Sequence, residues 1–191
     1  MEVSFSHVAL LVPSVEASGE YLKSCGFQLG APEIFEGEGT KELYAGSYAT
    51  QKGLLLLLEA VVEGPYKRAL AKRGPSLHHI ALDVLDVEGF IPHAQKSGWK
   101  LHPASQGTLS YQTAWLYQQG LPLIEVHQTK KLSAKSAQVT HVGLPVDRKQ
   151  VELFHALGLK GIVESDNELC LTADGREMTF KQIAFPQPHL V

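Results

Sequence analysis

The sequence predicts an α+β fold in which two βαβββ modules pair into a cupped mixed sheet, followed by a third βαβββ-like half-module. Three observations support this fold class. A strand-like segment that opens with histidine occurs three times, each copy leads into a helical stretch that ends at glycine, and strand-like runs follow each helix. Each unit is roughly fifty to sixty residues long, which is the length of a small supersecondary repeat.

The opening strands and helices keep similar spacing in all three units. The strands begin at His7, His79 and His141. Each strand stops at a residue that can cap a helix N-terminus, and these caps are Ser14, Asp86 and Asp147. Gln150 gives the third helix a variant of the capping box. Glycine tolerates the left-handed conformation that closes a helix, and the three helices end at Gly26, Gly98 and Gly158.

Two strand-like runs separated by a turn complete each unit. The runs are residues 41–48 and 53–60, 111–117 and 121–127, and 168–172 and 177–183. Asp174-Gly175 is a strong hairpin signal between the last two. One unit alone leaves a sheet face bare, whereas two units side by side share a cup with a pocket inside it. We therefore predict a domain at residues 1–130 with modules at about 5–62 and 77–128, then a linker and the third module at 131–191.

Composition limits the classes of partner. The chain has a net charge of −3, with 44% hydrophobic and 19% charged residues, which predicts a globular protein that binds neither nucleic acid nor membrane. The only cationic cluster, on residues 67–73, is either a solvated helix face or a contact for an anionic group. Cys25 and Cys170 have no metal spacing and predict no disulfide framework. We find no signal peptide and no run long enough to span a bilayer, and expect a cytoplasmic protein.

Four residues with metal-binding side chains occupy corresponding places in the first two units. His7 and His79 open the first strands, and Glu59 and Glu125 lie in the last strands, 52 and 46 residues later. Each alone fits an ordinary strand residue better, but their joint placement in a repeat favours one site in the cup. Two imidazoles and two carboxylates suit one divalent ion: Zn, Ni, Co, Mn or Fe, with Mg less favoured.

A family resemblance is carried by three stretches. Residues 64–83, Gly-Pro-Tyr-Lys-Arg-Ala-Leu-Ala-Lys-Arg-Gly-Pro-Ser-Leu-His-His-Ile-Ala-Leu-Asp, resemble methylmalonyl-CoA epimerases, in which a short helix ending in Lys/Arg-Gly leads into a Leu-His-His-Ile strand. Leu-Leu-Glu59 and Leu-Ile-Glu-Val126 resemble their ligand-bearing strands. Over residues 5–128 the chain resembles the vicinal oxygen chelate superfamily of glyoxalase I, the epimerases, extradiol dioxygenases and bleomycin-resistance proteins. The resemblance implies a glyoxalase-like fold.

The resemblance also implies residue roles. The ligands map onto His7, Glu59, His79 and Glu125, and His78 is a neighbour that faces away. The implied enzyme is an isomerase or lyase that removes a proton next to a carbonyl, with Glu125 serving as ligand and base. Epimerases carry a further glutamate after the first helix; here Glu38 is the nearest candidate and Glu42 the next. A small-molecule acid or acyl-CoA is the implied substrate, with the residue 67–73 cluster near phosphate.

Several alternatives stay open. A glyoxalase I-like lyase lacks recognisable glutathione-binding residues, and an extradiol-type dioxygenase needs two histidines and one carboxylate on Fe(II), which a second ligating glutamate disfavours. A non-catalytic binding or resistance protein would use the cup without metal chemistry. His127 either lines the pocket mouth or is an ordinary strand residue. His141 has no partner carboxylate, so the third unit covers a sheet edge, pairs with a second copy in a homodimer, or closes the cup.

Overall fold

The computed structural model describes residues 2–46, 54–132 and 138–187. Within these residues the strands form two sheets. Eight strands from the first two modules make one sheet, and four strands of the third module make another. The predicted α+β class with paired modules and a third unit is confirmed.

The first two modules repeat one topology. The first contains β1 Val3–Leu11, α1 Val15–Ser24, β2 Glu33–Phe35, β3 Thr40–Ala45 and β4 Leu54–Ala60. After α2 Pro65–Arg73, the second contains β5 Ser76–Val84, α3 Val87–Lys96, β6 Lys100–Leu101, α4 Ser105–Thr108, a 3₁₀ turn Leu109–Tyr111, β7 Thr113–Tyr117 and β8 Leu123–Gln128. In each module the last strand pairs in parallel with the first, and β1 and β5 join the modules antiparallel at the centre. The order of the large sheet is β2-β3-β4-β1-β5-β8-β7-β6.

Local signals for the helix ends are confirmed. The side chains of Ser14 and Asp86 accept backbone N–H groups in the first turns of α1 and α3, and Asp147 and Gln150 form a capping box on the third-module helix. Gly26, Gly98 and Gly158 all have positive φ, between 91° and 96°. The predicted strand runs agree with β3, β4, β7 and β8 apart from their ends, and their residues 47, 48 and 53 lie outside the described part of the chain.

The third module has the same element order as the others but a different sheet. It contains β9 Val139–Leu144, α5 Arg148–Ala156, β10 Ile162–Glu164, β11 Cys170–Ala173, β12 Arg176–Thr179 and α6 Phe180–Ala184. Its strands lie in the order β10-β9-β11-β12, so β10, not the last strand, lies parallel beside β9. The expected strand at 177–183 turns into α6 after Thr179, whose side chain caps that helix. Asp174 and Gly175 both have positive φ, as the predicted hairpin turn requires.

The third module packs against the helical side of the large sheet. Trp99 donates its indole N–H to the carbonyl of Leu153 at 3.1 Å and meets Phe154 edge to face at 5.3 Å between ring centroids. Both rings are buried in one continuous core that includes all three modules. The division at residue 130 therefore separates two sheets that share a core, and whether they are separate domains stays a prediction. No helix among the described residues is long and apolar enough to cross a membrane.

The opposite face of the large sheet is concave, and we call it the cup. Its first half is apolar: Ala9, Leu11, Leu56 and Leu58 form a small buried cluster. One face of α2 packs on this cluster through Tyr66, Ala69 and Leu70. The four cationic side chains of α2, on residues 67, 68, 72 and 73, are exposed. The helix is therefore amphipathic and covers one side of the cup.

Candidate metal centre

Three of the four predicted ligands converge in the cup. His7 Nε2 lies 3.1 Å from His79 Nε2, and Glu125 Oε2 lies 3.3 Å from His79 Nε2 and 3.7 Å from His7 Nε2. Both histidines are almost fully buried, and the Glu125 side chain is 13% exposed. These residues come from β1, β5 and β8, the two central strands and a neighbour. We call them the His–His–Glu group.

Two β-bulges aim the imidazoles into the cup. Pairing between β1 and β5 skips Ser6 in one strand and His78 in the other. In a regular strand residues two apart share a face, yet Phe5 packs on the main core while His7 faces the cup. A bulge inserts one residue and reverses the alternation, which explains both positions. The extra residue stands directly before the candidate ligand histidine in each module.

These extra residues also contact the imidazole rings of His7 and His79. Ser6 Oγ lies 3.3 Å from His7 Nδ1, and His78 Nδ1 lies 2.8 Å from His79 Nδ1. A partner on the second ring nitrogen fixes the orientation of a metal-binding imidazole. The expectation that His78 faces away is therefore corrected: because of the bulge it lies beside His79 and stacks on Tyr66, with ring centroids 4.8 Å apart.

Glu59 is not brought to the His–His–Glu group. It shares the helix-facing side of β4 with Leu55 and Leu57, and its Oε2 accepts the backbone N–H of Val15 at 2.9 Å, at the start of α1. The second module has the same contact between Gln128 and the N–H of Val87 at 3.0 Å. Glu59 thus corresponds to Gln128, and the expected inner-face position is corrected.

The true counterpart of Glu125 in the first module is Leu56. Parallel pairing places His7 opposite Leu54 and His79 opposite Leu123, and the residues two further along are Leu56 and Glu125. Leu56 is 4% exposed and belongs to the apolar cluster of the cup. The two modules are therefore symmetric in their histidines but asymmetric in their carboxylates.

Burial sets the charge of the group. Desolvation lowers the pKa of His7 to about 3, so this imidazole is neutral and free to bind a cation. Burial by itself would raise the pKa of Glu125, but hydrogen bonds from His127 and His79 outweigh it and hold the pKa below its ordinary value. His127 Nε2 lies 3.0 Å from Glu125 Oε2, and its Nδ1 lies 3.3 Å from Thr113 Oγ1. His127 therefore orients the carboxylate.

The wall around the group is aromatic and repeats between modules. Tyr44 meets His7 edge-on at 5.8 Å between centroids, and Trp115 meets His79 in the same way at 5.1 Å. The partners of these rings across the sheet are Leu56 and Glu125, so the two aromatics occupy corresponding positions. Burial raises the pKa of Tyr44 to about 12, so its hydroxyl is neutral. The sequence reasoning did not single out either ring, although each lies on the cup-facing side of a predicted strand.

The two candidate acid/base glutamates have different surroundings. Glu38 is exposed in the turn between β2 and β3, where its Oε2 accepts the hydroxyl of Tyr66 at 2.9 Å. Glu42 lies in β3 on the same face as Tyr44 and is half-buried. Burial raises the pKa of Glu42, despite a hydrogen bond from Thr40. Of the two, Glu42 is the one on the cup-facing side of a strand.

The spacing of the donor atoms fits one metal ion. Two donors about 2.1 Å from an ion lie about 3.0 Å apart at octahedral angles and about 3.4 Å apart at tetrahedral angles. The observed separations of 3.1, 3.3 and 3.7 Å lie close to these values. Among the described residues, His7, His79 and Glu125 are the group of metal-binding side chains whose donor atoms lie within 4.8 Å of one another. His141 is exposed on the third module.

Solved structures similar to this chain agree with its fold. No family model and no curated protein matches the chain. Among solved structures, a hypothetical protein of Bacillus halodurans C-125 is similar with a TM-score of 0.55 and 22% identity, covering 71% of this chain and 100% of that one. Methylmalonyl-CoA epimerase from Mycobacterium tuberculosis gives a TM-score of 0.51 and 20% identity, covering 66% and 88%. These matches show the glyoxalase-like fold of paired βαβββ modules.

A third similar structure contains a ligand. It is a methylmalonyl-CoA epimerase in complex with methylmalonyl-CoA and NH4+, with a TM-score of 0.53, 20% identity, and coverage of 70% of this chain and 99% of that one. Each of the three proteins is thus matched over nearly its full length. About a third of the present chain has no counterpart in them, so this chain combines the glyoxalase-like fold with an added part.

Proposed function

We propose that the chain is a divalent-metal-dependent isomerase or lyase that removes a proton next to a carbonyl, like methylmalonyl-CoA epimerase. One observation carries this proposal: His7, His79 and Glu125 converge in the cup, and the other half of the cup holds a second carboxylate, Glu42. A proton-transfer enzyme of this kind needs a centre that withdraws electrons and a separate base within the same cavity.

In this proposal each residue of the cup has a separate role. His7, His79 and Glu125 hold the ion, which would act as a Lewis acid on the carbonyl oxygen of the substrate. Glu42 accepts the proton from the neighbouring carbon and returns it. Its pKa is raised toward neutral pH, where a residue that both takes up and releases a proton is most effective. Glu42 comes from β3 and Glu125 from β8, on opposite sides of the two central strands. Glu38 would hold Tyr66 rather than move protons.

An acyl-CoA is the substrate class that we favour. A protein of the same fold has been solved with methylmalonyl-CoA bound. In the present chain α2 covers the cup with its apolar face and exposes four cations on the other, where the phosphates of a nucleotide tail would be attracted. The reacting acyl group would then lie inside the cup.

Isotope exchange tests the reaction. The metal-loaded protein is incubated with methylmalonyl-CoA or propionyl-CoA in deuterated water, and deuterium at the α-carbon is followed by mass spectrometry. We expect Glu42→Gln to slow exchange by about 10²–10⁴-fold, the usual contribution of a positioned base. Glu38→Gln is the matched control and should exchange at the parent rate. Equal loss in both variants, or no exchange with either thioester, would contradict the proposal.

Metal content tests the centre separately. Protein purified without added metal is analysed for Zn, Ni, Co, Mn and Fe, alongside His7→Ala, Glu125→Gln and Glu59→Gln. We expect about one ion per chain in the parent and in Glu59→Gln, and a loss of at least tenfold in affinity in the other two, as for removal of a ligand or its support. Full metal content in Glu125→Gln would remove this carboxylate from the site.

A second candidate function is an Fe(II)-dependent dioxygenase. Two histidines and one carboxylate on one side of the ion form the facial set used by non-haem iron oxygenases, and Leu56 in place of a fourth ligand gives this chain such a set. Anaerobic reconstitution with Fe(II), followed by oxygen-electrode assays with catechols, distinguishes the two functions. Oxygen uptake without thioester exchange would favour the dioxygenase.

A further inference from the structure

A cleft of about 780 Å³ lies between the second and third modules. The second module contributes Leu77 and Leu121 to its walls, and the third contributes Leu144, Val146 and Phe180. All five are aliphatic or aromatic, and the volume is within the 300–1,000 Å³ usual for small-molecule pockets. The third module therefore provides a wall of a cavity rather than only a cover for the helices.

Three polar groups at this cleft are available to a ligand. Arg73, His102 and Tyr117 line it. The guanidinium of Arg73, the Nε2 of His102 and the hydroxyl of Tyr117 have no hydrogen-bond or ion-pair partner in the described part of the chain. The backbone N–H of Ala104 donates to His102 Nδ1 at 3.2 Å, so Nδ1 is an acceptor and the N–H of the ring is on Nε2. Of the four α2 cations, Arg73 alone lines the cleft. A guanidinium, an imidazole N–H and a phenol together suit an anionic oxygen group.

The cleft adjoins the His–His–Glu group. His78 lines it, and the Nδ1 of His78 lies 2.8 Å from the Nδ1 of His79. Leu123 also lines it and precedes Glu125 by two residues on the same face of β8, a separation of about 7 Å along a strand. A molecule that fills the cleft therefore reaches the side of the candidate metal centre.

We propose that this cleft binds the non-reacting body of the substrate, an organic anion with an apolar chain. The chain lies between Leu121 and Val146, and the carboxylate or phosphate contacts Arg73. As a statement about substrate this inference rests on the proposed function, but binding itself requires no metal and no turnover. The third module then determines which substrate bodies the enzyme accepts.

Calorimetry on the metal-free protein tests the binding chemistry. The probes are octanoate, octyl phosphate and the neutral octanamide, which share one apolar chain and distinguish a carboxylate site from a phosphate site. We expect at least one anion to bind about tenfold tighter than the amide, the effect of one charge-assisted hydrogen bond. Arg73→Gln should abolish that difference, whereas Lys67→Gln, on the same helix but outside the cleft, should keep it. Equal binding of all three probes to the parent overturns the role of Arg73.

Two variants test the location. Val146→Trp fills the cleft from the third module and Leu121→Trp fills it from the second, so one remains informative if the other fails to fold. Each should weaken binding of the preferred anion at least tenfold while leaving metal stoichiometry at the parent value. Undiminished binding in a folded variant overturns the proposal. If metal fails to bind the parent but the anion binds and is displaced by either tryptophan, the proposed function fails and the cleft assignment stands.

Discussion

Substitution of Glu59 distinguishes a carboxylate that caps a helix from one that binds a metal ion. Its carboxylate accepts one backbone N–H, that of Val15, at 2.9 Å at the N-terminus of α1. Loss of such a cap costs about 1–2 kcal/mol, and the charge at the helix terminus contributes about 0.3–1 kcal/mol of it. Glu59→Ala should therefore lower the free energy of unfolding by about 1–2 kcal/mol, which for a chain of this size lowers the Tm by about 2–8 °C.

A natural control exists in the second module, where Gln128 accepts the N–H of Val87 at 3.0 Å. Glu59→Gln reproduces that arrangement and should lose only about 0.3–1 kcal/mol, since the acceptor oxygen remains and the charge does not. Gln128→Ala should resemble Glu59→Ala. Urea denaturation and thermal unfolding give the stabilities, and metal analysis of the same samples gives the stoichiometry. A drop in bound metal in Glu59→Gln comparable with that in Glu125→Gln would refute this reasoning.

Three further predictions follow from burial and contacts. His78→Phe keeps the stack on Tyr66 but removes the contact to His79, so metal affinity should fall about 10–100-fold in a zinc titration while the fold is retained. Burial raises the pKa of Glu42 in the folded state, so the free energy of unfolding falls as the pH rises from the ordinary pKa to the raised one. In urea denaturation Glu42→Gln should therefore be more stable than the parent at pH 8 and differ less from it at pH 4. Phe154→Ala should lower the free energy of unfolding by about 3–5 kcal/mol, because it leaves a cavity in the shared core. Tryptophan fluorescence and circular dichroism should still show the same single unfolding transition, and two separate transitions would contradict the shared core.

Much of the fold was predictable from repetition. The histidines at 7 and 79, the caps at 14 and 86 and the glycines at 26 and 98 recur at matching distances, and the structure places each pair equivalently. The third unit shared these signals but not its sheet. Its order of elements is the same, yet β10 pairs with β9 because the choice of strand partner depends on tertiary packing, which a linear pattern does not contain.

The candidate metal site was only partly predictable, for a specific physical reason. Its place in the last strand of the first unit suggested Glu59, but the number of residues between β3 and β4 is not fixed by the repeat, so the sequence could not establish the register of that strand. Pairing establishes it: Leu56, not Glu59, lies where Glu125 lies in the other module. The face of His78 was wrong because strict alternation was assumed where β5 contains a bulge. Bulges depend on the partner strand and leave little trace in one sequence.

The leucine at position 56 has an electrostatic consequence. Two imidazoles and two carboxylates around a divalent cation would sum to zero charge, whereas His7, His79 and Glu125 would supply a single negative charge and leave one positive charge uncompensated. In an apolar, largely desolvated cavity that excess positive charge would attract a negatively charged guest strongly, because little water is present to screen it. Under the proposed function, the hydrocarbon side chain of Leu56 would thereby favour anions in the cup.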